Sequence, residues 1–259
     1  MGTAVQQGVA WGARAAEWSL IQEWQNRPAY EAVLDTYMPW REVRLLDVGC
    51  GSGAFASLAE ASGARVVGID ASAEQIEIAE RRVPDGAFRI GDMAHLPYVD
   101  GSFGIVTGIN SFQYVDEPLD ALVEAARVTR PGGRVIALLW GTADECDAAL
   151  YLRTVHAMQP PATAAREPFA LSQQGVMEEL FAMAGLVACE RQVVPCTWFY
   201  PDSAIALRGL LSTGPAVSAV ECSGEEAVAE AVLESIDPFR CRGGAYLLRN
   251  TFHYLIGIR

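Results

Sequence analysis

Leu45-Leu46-Asp47-Val48 is an apolar run of the kind found in strands buried on both faces, and it ends in Gly49-Cys50-Gly51-Ser52-Gly53, after which helix-forming residues begin at once. The backbone has to turn sharply there. Glycines permit positive φ and let a ligand approach the main chain with no Cβ in the way, while the start of the helix offers unpaired N–H donors. A strand, a glycine turn and a helix in that order make one unit of a parallel α/β sheet with a polar ligand at the turn.

From Val43 the pattern keeps repeating that unit. Strands are predicted at 43–48, 65–69, 87–90, 103–109 and 134–140, helices at 54–62, 72–82 and 117–129, and Pro131-Gly132-Gly133 reads as a tight turn ahead of the fifth strand. A helix at 173–184 closes on Gly185, a residue suited to the left-handed cap, before a strand at 186–194, and a final strand runs from 251 to 258. Residues 13–25 read as an amphipathic helix with Ala13, Ala16, Leu20 and Trp24 near its inner face and Trp18 and Ile21 widening the stripe. The stretches 141–172 and 197–249 interrupt the alternation with proline-bounded helical pattern. They are expected to roof the carboxyl ends of the strands, where open α/β sheets bind ligands.

Charge narrows the ligand. Nineteen basic against 32 acidic residues give a net charge of -13, a field that repels nucleic acid and anionic membrane surfaces. No apolar run approaches the roughly 20 residues that span a bilayer, and the start of the chain, with Gln6, Gln7 and Trp11, has no basic-then-apolar layout, so a cytoplasmic protein is expected. Six cysteines lie at 50, 146, 189, 196, 222 and 241 with no C-x-x-C, and there are three histidines. That predicts no metal site and no disulfide framework, with most thiols reduced and buried. At 259 residues the chain fits a single domain with one core and a cap, as a monomer or a homodimer.

The glycine turn alone leaves two cofactors open. Gly49-x-Gly51-x-x-Ala54, with Asp70 at the end of the next strand, satisfies the loose dinucleotide fingerprint and so admits NAD. Three features speak for a different ligand. Asp47 stands just before the glycines, where a carboxylate opposes a pyrophosphate but suits a ligand carrying an ammonium and a sulfonium. Gly91-Asp92-Met93 follows the third strand, and a carboxylate beside a thioether can bond an adenine amino group and pack on the ring. The chain also closes with Pro131-Gly132-Gly133 before the fifth strand and a terminal strand after a long excursion.

With these residues the chain resembles the class I S-adenosylmethionine-dependent methyltransferases, in particular the bacterial small-molecule group similar to the ubiquinone-biosynthesis C-methyltransferases. The resemblance rests on an ordered set, LLDVGCGSG at 45–53, VVGIDAS at 66–72, GDMAHLP at 91–97, DGSFGIV at 100–106 and RPGGRV at 130–135, and covers roughly residues 40–140. It implies a Rossmann-like, doubly wound, seven-stranded α/β sheet with an antiparallel last strand, and S-adenosyl-L-methionine as cofactor, leaving S-adenosyl-L-homocysteine as product. It places Gly49, Cys50, Gly51 and Gly53 against the methionine and ribose part, Asp70 and Ala71 at the ribose, Asp92 and Met93 at the adenine, Asn110 at the methyl-transfer opening, and Asp47 near the ammonium. Read plainly, Asp70 could be a solvated strand end, Asp92 a helix N-cap and Met93 ordinary core. The resulting division is an N-terminal helical lid at 1–40, a cofactor-binding core at 43–140, and cap insertions at 141–172 and 197–249.

The acceptor is less legible. Where many relatives carry a histidine after the fourth strand, this chain reads Asn110-Ser111-Phe112-Gln113-Tyr114, which removes an obvious proton acceptor. Gln113 could orient a carbonyl or hydroxyl, His156 could face the acceptor from the first cap stretch, and Trp18 could close over the sulfonium or stack on a planar acceptor; each also has a packing role open to it. His95 and His253 are expected to be structural, while Trp140 and Trp198-Phe199-Tyr200 would suit an aromatic-lined pocket or helix-to-sheet packing. Methyl transfer is an in-line displacement in which alignment and desolvation supply most of the acceleration, so a missing base disfavours aliphatic alcohols alone. The reading is methyl transfer to a small, hydrophobic or aromatic metabolite, of a kind at home in secondary metabolism. The alternatives are an S-adenosylmethionine-binding protein that uses the sulfonium for non-methylating catalysis or as a binding module, and an NAD-dependent oxidoreductase.

Overall fold

A computed structural model describes residues 3–36, 40–160, 167–188 and 191–259. Five parallel strands, β1 (Arg44–Val48), β2 (Arg65–Asp70), β3 (Ala87–Ile90), β4 (Phe103–Ile109) and β5 (Thr129–Trp140), lie in the order β3-β2-β1-β4-β5. The strand order reverses between β1 and β4, which opens a crevice at their carboxyl ends. Successive residues on each strand serve opposite faces. Leu45, Ile136 and Leu138 join one core cluster, and Leu46, Val135, Ala137 and Leu139 the other, as the period of two requires of a sheet covered on both sides.

The helices α4 (Ala54–Ala61), α5 (Ala73–Arg82) and α6 (Pro118–Val128) connect these strands, and every element expected between 43 and 129 is present to within one residue at either end. Ser72 caps α5 by accepting from Gln75 N at 3.2 Å, and Pro118 opens α6, where a missing N–H is harmless. Pro131-Gly132-Gly133 is a bulge inside β5 and not a turn ahead of it. The pairing with β4 jumps from Phe103↔Thr129 to Ile105↔Arg134, and Gly132, at φ +73, donates to Arg259 O at 2.8 Å.

The second half departs further from its pattern. After α7 (Ala149–Ala157) and α8 (Val176–Met183), which ends at Gly185 with φ +78, come β6 (Val187–Ala188) and β7 (Gln192–Tyr200) in place of one strand at 186–194. The terminal strand β8 (Tyr246–Ile258) begins five residues earlier than expected, and runs antiparallel to β5 and to both β6 and β7. Because β6 pairs with one end of β8 and β7 with the rest, the eight strands fill seven positions, and β8 is the expected antiparallel last strand. Aromatic residues at alternate positions, Trp198 and Tyr200 buried and Phe199 exposed, carry β7 through residues whose proline-bounded surroundings suggested a cap. Helices α9 (Ser203–Leu210), α10 (Gly214–Ser223) and α11 (Glu225–Ile236) pack with α7 at the side of the sheet, tied by Tyr151, whose hydroxyl bonds Leu210 O at 2.8 Å and Thr213 Oγ1 at 2.7 Å.

The N-terminal segment overturns its pattern outright. It comprises α1 (Thr3–Gly12), α2 (Ala15–Glu17), a π turn at Trp18–Gln22, a 3-10 turn at Glu23–Asn26 and α3 (Arg27–Thr36), not one helix at 13–25. Ala13, Ala16 and Leu20, expected inside, are exposed, Leu20 at 72%, whereas Ser19, Gln22, Glu23 and Asn26 are buried. The inward face is polar because each of its longer side chains meets a fixed polar partner. Tyr200 donates to Gln22 Oε1 at 2.7 Å, Trp198 Nε1 to Asn26 Oδ1 at 3.0 Å, and Arg82 to Glu23 Oε2 at 2.6 Å. Hydrophobic periodicity has no access to partners supplied from β7 and α5.

Candidate functional site

The main cleft opens at the carboxyl ends of β1 and β4 and is lined by residues of both strands and of the N-terminal segment. Its floor is the glycine turn. Gly49 and Gly51 have φ +70 and +53, and the N–H groups of Gly49 and Cys50 both donate to Ile69 O, at 2.8 and 3.1 Å, fastening the turn to β2. A Cβ on Gly49 would stand 2.4 Å from the Cβ of Ser111, so glycine is required there twice over. Gly53, at φ +80, lies outside the lining; its Cα faces Ala79 and lets α4 approach α5.

The other residues singled out from the sequence converge on the same cleft. Asp47, Gly49, Cys50, Gly51, Asp70 and Ala71 line it from β1 and β2, and Asp92, Met93 and Asn110 from the far side. Asp70 is held by two backbone donors, Gly51 N to Oδ2 at 2.8 Å and Ser72 N to Oδ1 at 2.9 Å, so it braces the glycine turn while facing the ligand space. Asp92 accepts from Ala94 N at 2.9 Å and faces His95 Nδ1 at 3.3 Å, so it braces a turn with no helix after it, not the helix N-cap of its plain reading, and it lines the cleft. Asn110 adopts φ +55, the left-handed region that asparagine tolerates, and its Oδ1 accepts from Gln113 Nε2 at 2.5 Å.

The cleft is acidic. Asp47 is buried, its Oδ1 accepting from Thr107 Oγ1 at 2.7 Å, and burial pushes its pKa up to about 7, with the Asp70 and Glu23 carboxylates pushing the same way against the Thr107 bond. Burial also raises Asp70 and Glu23. Glu23, which is not among the residues singled out from the sequence, is 3% exposed and bonds Ser52 Oγ and Arg82, while Arg82 also donates to Ser52 O at 2.8 Å and Ser19 O at 3.2 Å. Its only signal was the polar spacing Ser19, Gln22, Glu23, Asn26, as regular as the apolar one. Removing one partner of such a buried pair typically costs about 3–5 kcal/mol, so this network holds the N-terminal segment on the glycine turn.

That segment also roofs the cleft. Gly8 of α1 lies so close to the loop after β2 that a Cβ would meet Ala71 O at 2.3 Å, and Gln75 Nε2 donates to Trp11 O at 3.0 Å. Trp11 meets Trp18 and Tyr114 edge-on, with centroids 4.8 and 5.2 Å apart. Tyr114 lines a second cavity too, of about 510 Å³ empty volume, together with Gln113, Trp140 and His156. His95 is exposed and His253 sits 3.1 Å from Glu145 beside Arg191, both away from these spaces. Trp198 and Tyr200 anchor the N-terminal segment and line neither cavity.

Residues 46–137 match the family described as a methyltransferase domain. A demethylmenaquinone methyltransferase of Renibacterium salmoninarum is 40% identical over 93 residues, 36% of this chain and 39% of that protein. The matched segment, residues 46–137, is a methyltransferase domain. Among solved structures, the YcgJ protein of Bacillus subtilis aligns with TM-score 0.63 and 20% identity over 89% of this chain and 97% of that one. A protein described as the [4+2]-cyclase SpnF aligns with TM-score 0.54 and 23% identity over 86% of this chain and 79% of that one. The methyltransferase domain thus has the expected fold, and the chain spans less than half the length of the curated relatives it matches. S-adenosylmethionine is the cofactor of this family, and the cleft fits it. A ligand carrying an ammonium and a sulfonium relieves the mutual repulsion of Asp47, Asp70 and Glu23, which a pyrophosphate would aggravate. Among the described residues no cluster of His, Cys, Asp or Glu could hold a metal ion, and no helix is long and apolar enough to cross a membrane.

Proposed function

We propose that this protein binds S-adenosylmethionine in the acidic cleft and transfers its methyl group to a small, hydrophobic or aromatic acceptor in the cytosol, at carbon, oxygen or nitrogen. The observation that carries the reading is the meeting of three carboxylates, Asp47, Asp70 and Glu23, with the glycine turn and Asn110 in one space. The cofactor, when bound, supplies an electrophilic methyl on a sulfonium, and the acceptor's electron pair displaces the thioether. The chain's own part is to orient and to exclude water. Asp70 and Asp92 fix the adenosine, Gly49 and Gly51 let it approach the backbone, and the roof of α1, Trp11 and Trp18 keeps the reacting centre dry.

The second cavity is the acceptor chamber in this reading, with Tyr114 as the wall it shares with the cofactor cleft. Gln113 Oε1 is buried there without a hydrogen-bond partner, ready to accept from a hydroxyl or N–H of the acceptor, and His156 offers the nearest titratable nitrogen. An aromatic wall of Tyr114 and Trp140 with side-chain acceptors at Gln113, Gln159 and Glu167 favours a planar phenolic or quinol-like molecule, whose nucleophile needs little help from a base.

Calorimetric titration with S-adenosylhomocysteine and, separately, NAD tests the cofactor. Binding of the former alone, weakened about 10- to 150-fold by Asp70→Asn and by Asp92→Asn through the loss of a charged hydrogen bond, is the expected result. Binding of NAD alone would overturn it. The likeness in fold to a cyclase makes non-methylating use of the sulfonium the second reading, and accumulation of S-adenosylhomocysteine during turnover separates the two.

A further inference from the structure

Gly51 adopts φ +53, and the point where its Cβ would stand lies 3.3 Å from Glu23 Oε1 and 3.7 Å from Trp18 Nε1. An anionic acceptor and a neutral N–H donor therefore bound one small space directly over the glycine turn. Glu23 takes Ser52 and Arg82 on its other oxygen, Oε2, and its carboxylate also faces the Ala54 N–H at the start of α4, which leaves a carboxylate with acceptor capacity to spare; among the described residues Trp18 makes only an edge contact with Trp11 and backbone bonds.

The local backbone brings the two together. In an α-helix, residues five apart point about 140° away from each other. Here Trp18–Gln22 forms a π turn closed by the Glu23 N–H on Trp18 O, so residues 18 and 23 sit above one another on the cleft side. Such an insertion weakens a helix and recurs where a side chain has to be aimed. This one aims a carboxylate and an indole at the same glycine.

We propose that Glu23 and Trp18 form a clamp for the α-amino-acid end of the cofactor, the ammonium bonding Glu23 Oε1 and the carboxylate accepting from Trp18 Nε1. The inference rests on the S-adenosylmethionine reading. A zwitterion answers an anionic acceptor and a donor side by side with a charge-assisted bond to each, and the position over Gly51 leaves it room that any other residue would fill. Asp47, buried and bonded to Thr107 behind the turn, then sets the negative potential of the site while Glu23 makes the contact. Recognition of the cofactor's amino-acid end thus belongs to the N-terminal segment, outside the segment that matches the methyltransferase family.

The test compares S-adenosylhomocysteine with 5′-methylthioadenosine, which shares its adenosine and sulfur but lacks the amino acid, by calorimetry on the wild-type protein, Trp18→Phe and Glu23→Gln. Trp18→Phe keeps the ring against Trp11 and removes only the N–H, so it reports even where Glu23→Gln loosens the Arg82 anchor. Each variant should weaken S-adenosylhomocysteine about tenfold or more, the worth of a hydrogen bond to a charged group, while 5′-methylthioadenosine stays within about twofold. A merely structural role would weaken both ligands alike, and an unchanged ratio of the two affinities in both variants refutes the clamp while leaving the cofactor assignment standing. Wild-type protein that binds neither ligand refutes that assignment and the clamp with it.

Discussion

Replacing Gly49 with alanine separates two demands that the fold makes on one residue. Gly49 has φ +70, where an L side chain costs about 1–2 kcal/mol, and its Cβ would lie 2.4 Å from the Cβ of Ser111 and 3.1 Å from Met93 Cε. Ser111 cannot yield freely, because its hydroxyl donates to Val48 O at 2.7 Å and its neighbour Phe112 is fully buried. Overpacking of this kind adds about 1–3 kcal/mol. Gly175, the N-cap of α8, is the matched control. It has φ +84 and nothing within 4 Å of its Cβ position, so Gly175→Ala meets the conformational penalty alone. Gly49→Ala should therefore melt roughly 2–12 °C below Gly175→Ala, measured by circular dichroism on the two variants and the wild type. It should also bind S-adenosylhomocysteine more weakly, while Gly175→Ala binds normally. Equal melting temperatures would show that the contact with Ser111 relaxes without penalty and that the turn is not packed as described.

Two further outcomes follow from buried polar groups. Asp47 has a pKa of about 7 in the folded chain against an ordinary 3.8, so between those values the folded state holds a proton that the unfolded state has lost. The ligand-free protein should lose stability as pH rises from about 4 to 7 and level off above, and urea midpoints across that range should fall less steeply in Asp47→Asn; an equal slope would mean that Asp47 titrates normally. Tyr200→Phe leaves Gln22 Oε1 buried without its donor, beside an Nε2 already lacking a partner, and should destabilise the protein by about 1–3 kcal/mol and speed proteolysis of the N-terminal segment; unchanged values in denaturation and limited digestion would count against that anchor.

The central repeat could be read from the chain because its determinants are local. Strand, glycine turn and helix between 43 and 129 each carry their own period and punctuation, and the carboxylates at 47, 70 and 92 lie next to the turns that present them. The bulge at Pro131-Gly132-Gly133 has the sequence of a turn because proline and glycine serve both, and the hydrogen bond to Arg259, more than a hundred residues later, decides between them. Likewise β7 gains its length from pairing with β8, from Tyr200↔Tyr246 to Gln192↔Tyr254, and not from a pattern distinct enough to be told from a cap.

The sheet class, the position of the glycine turn and the residues nearest it follow from local pattern, since these depend on contacts between neighbours along the chain. Tertiary structure alone decided which face of the N-terminal segment turns inward. A stripe of alanine and leucine lost to a stripe of serine, glutamine, glutamate and asparagine because Arg82, Ser52, Trp198 and Tyr200 wait for them across the fold. A buried polar group is stable only when each partner is in place, and which partners are in place is a property of the assembled fold.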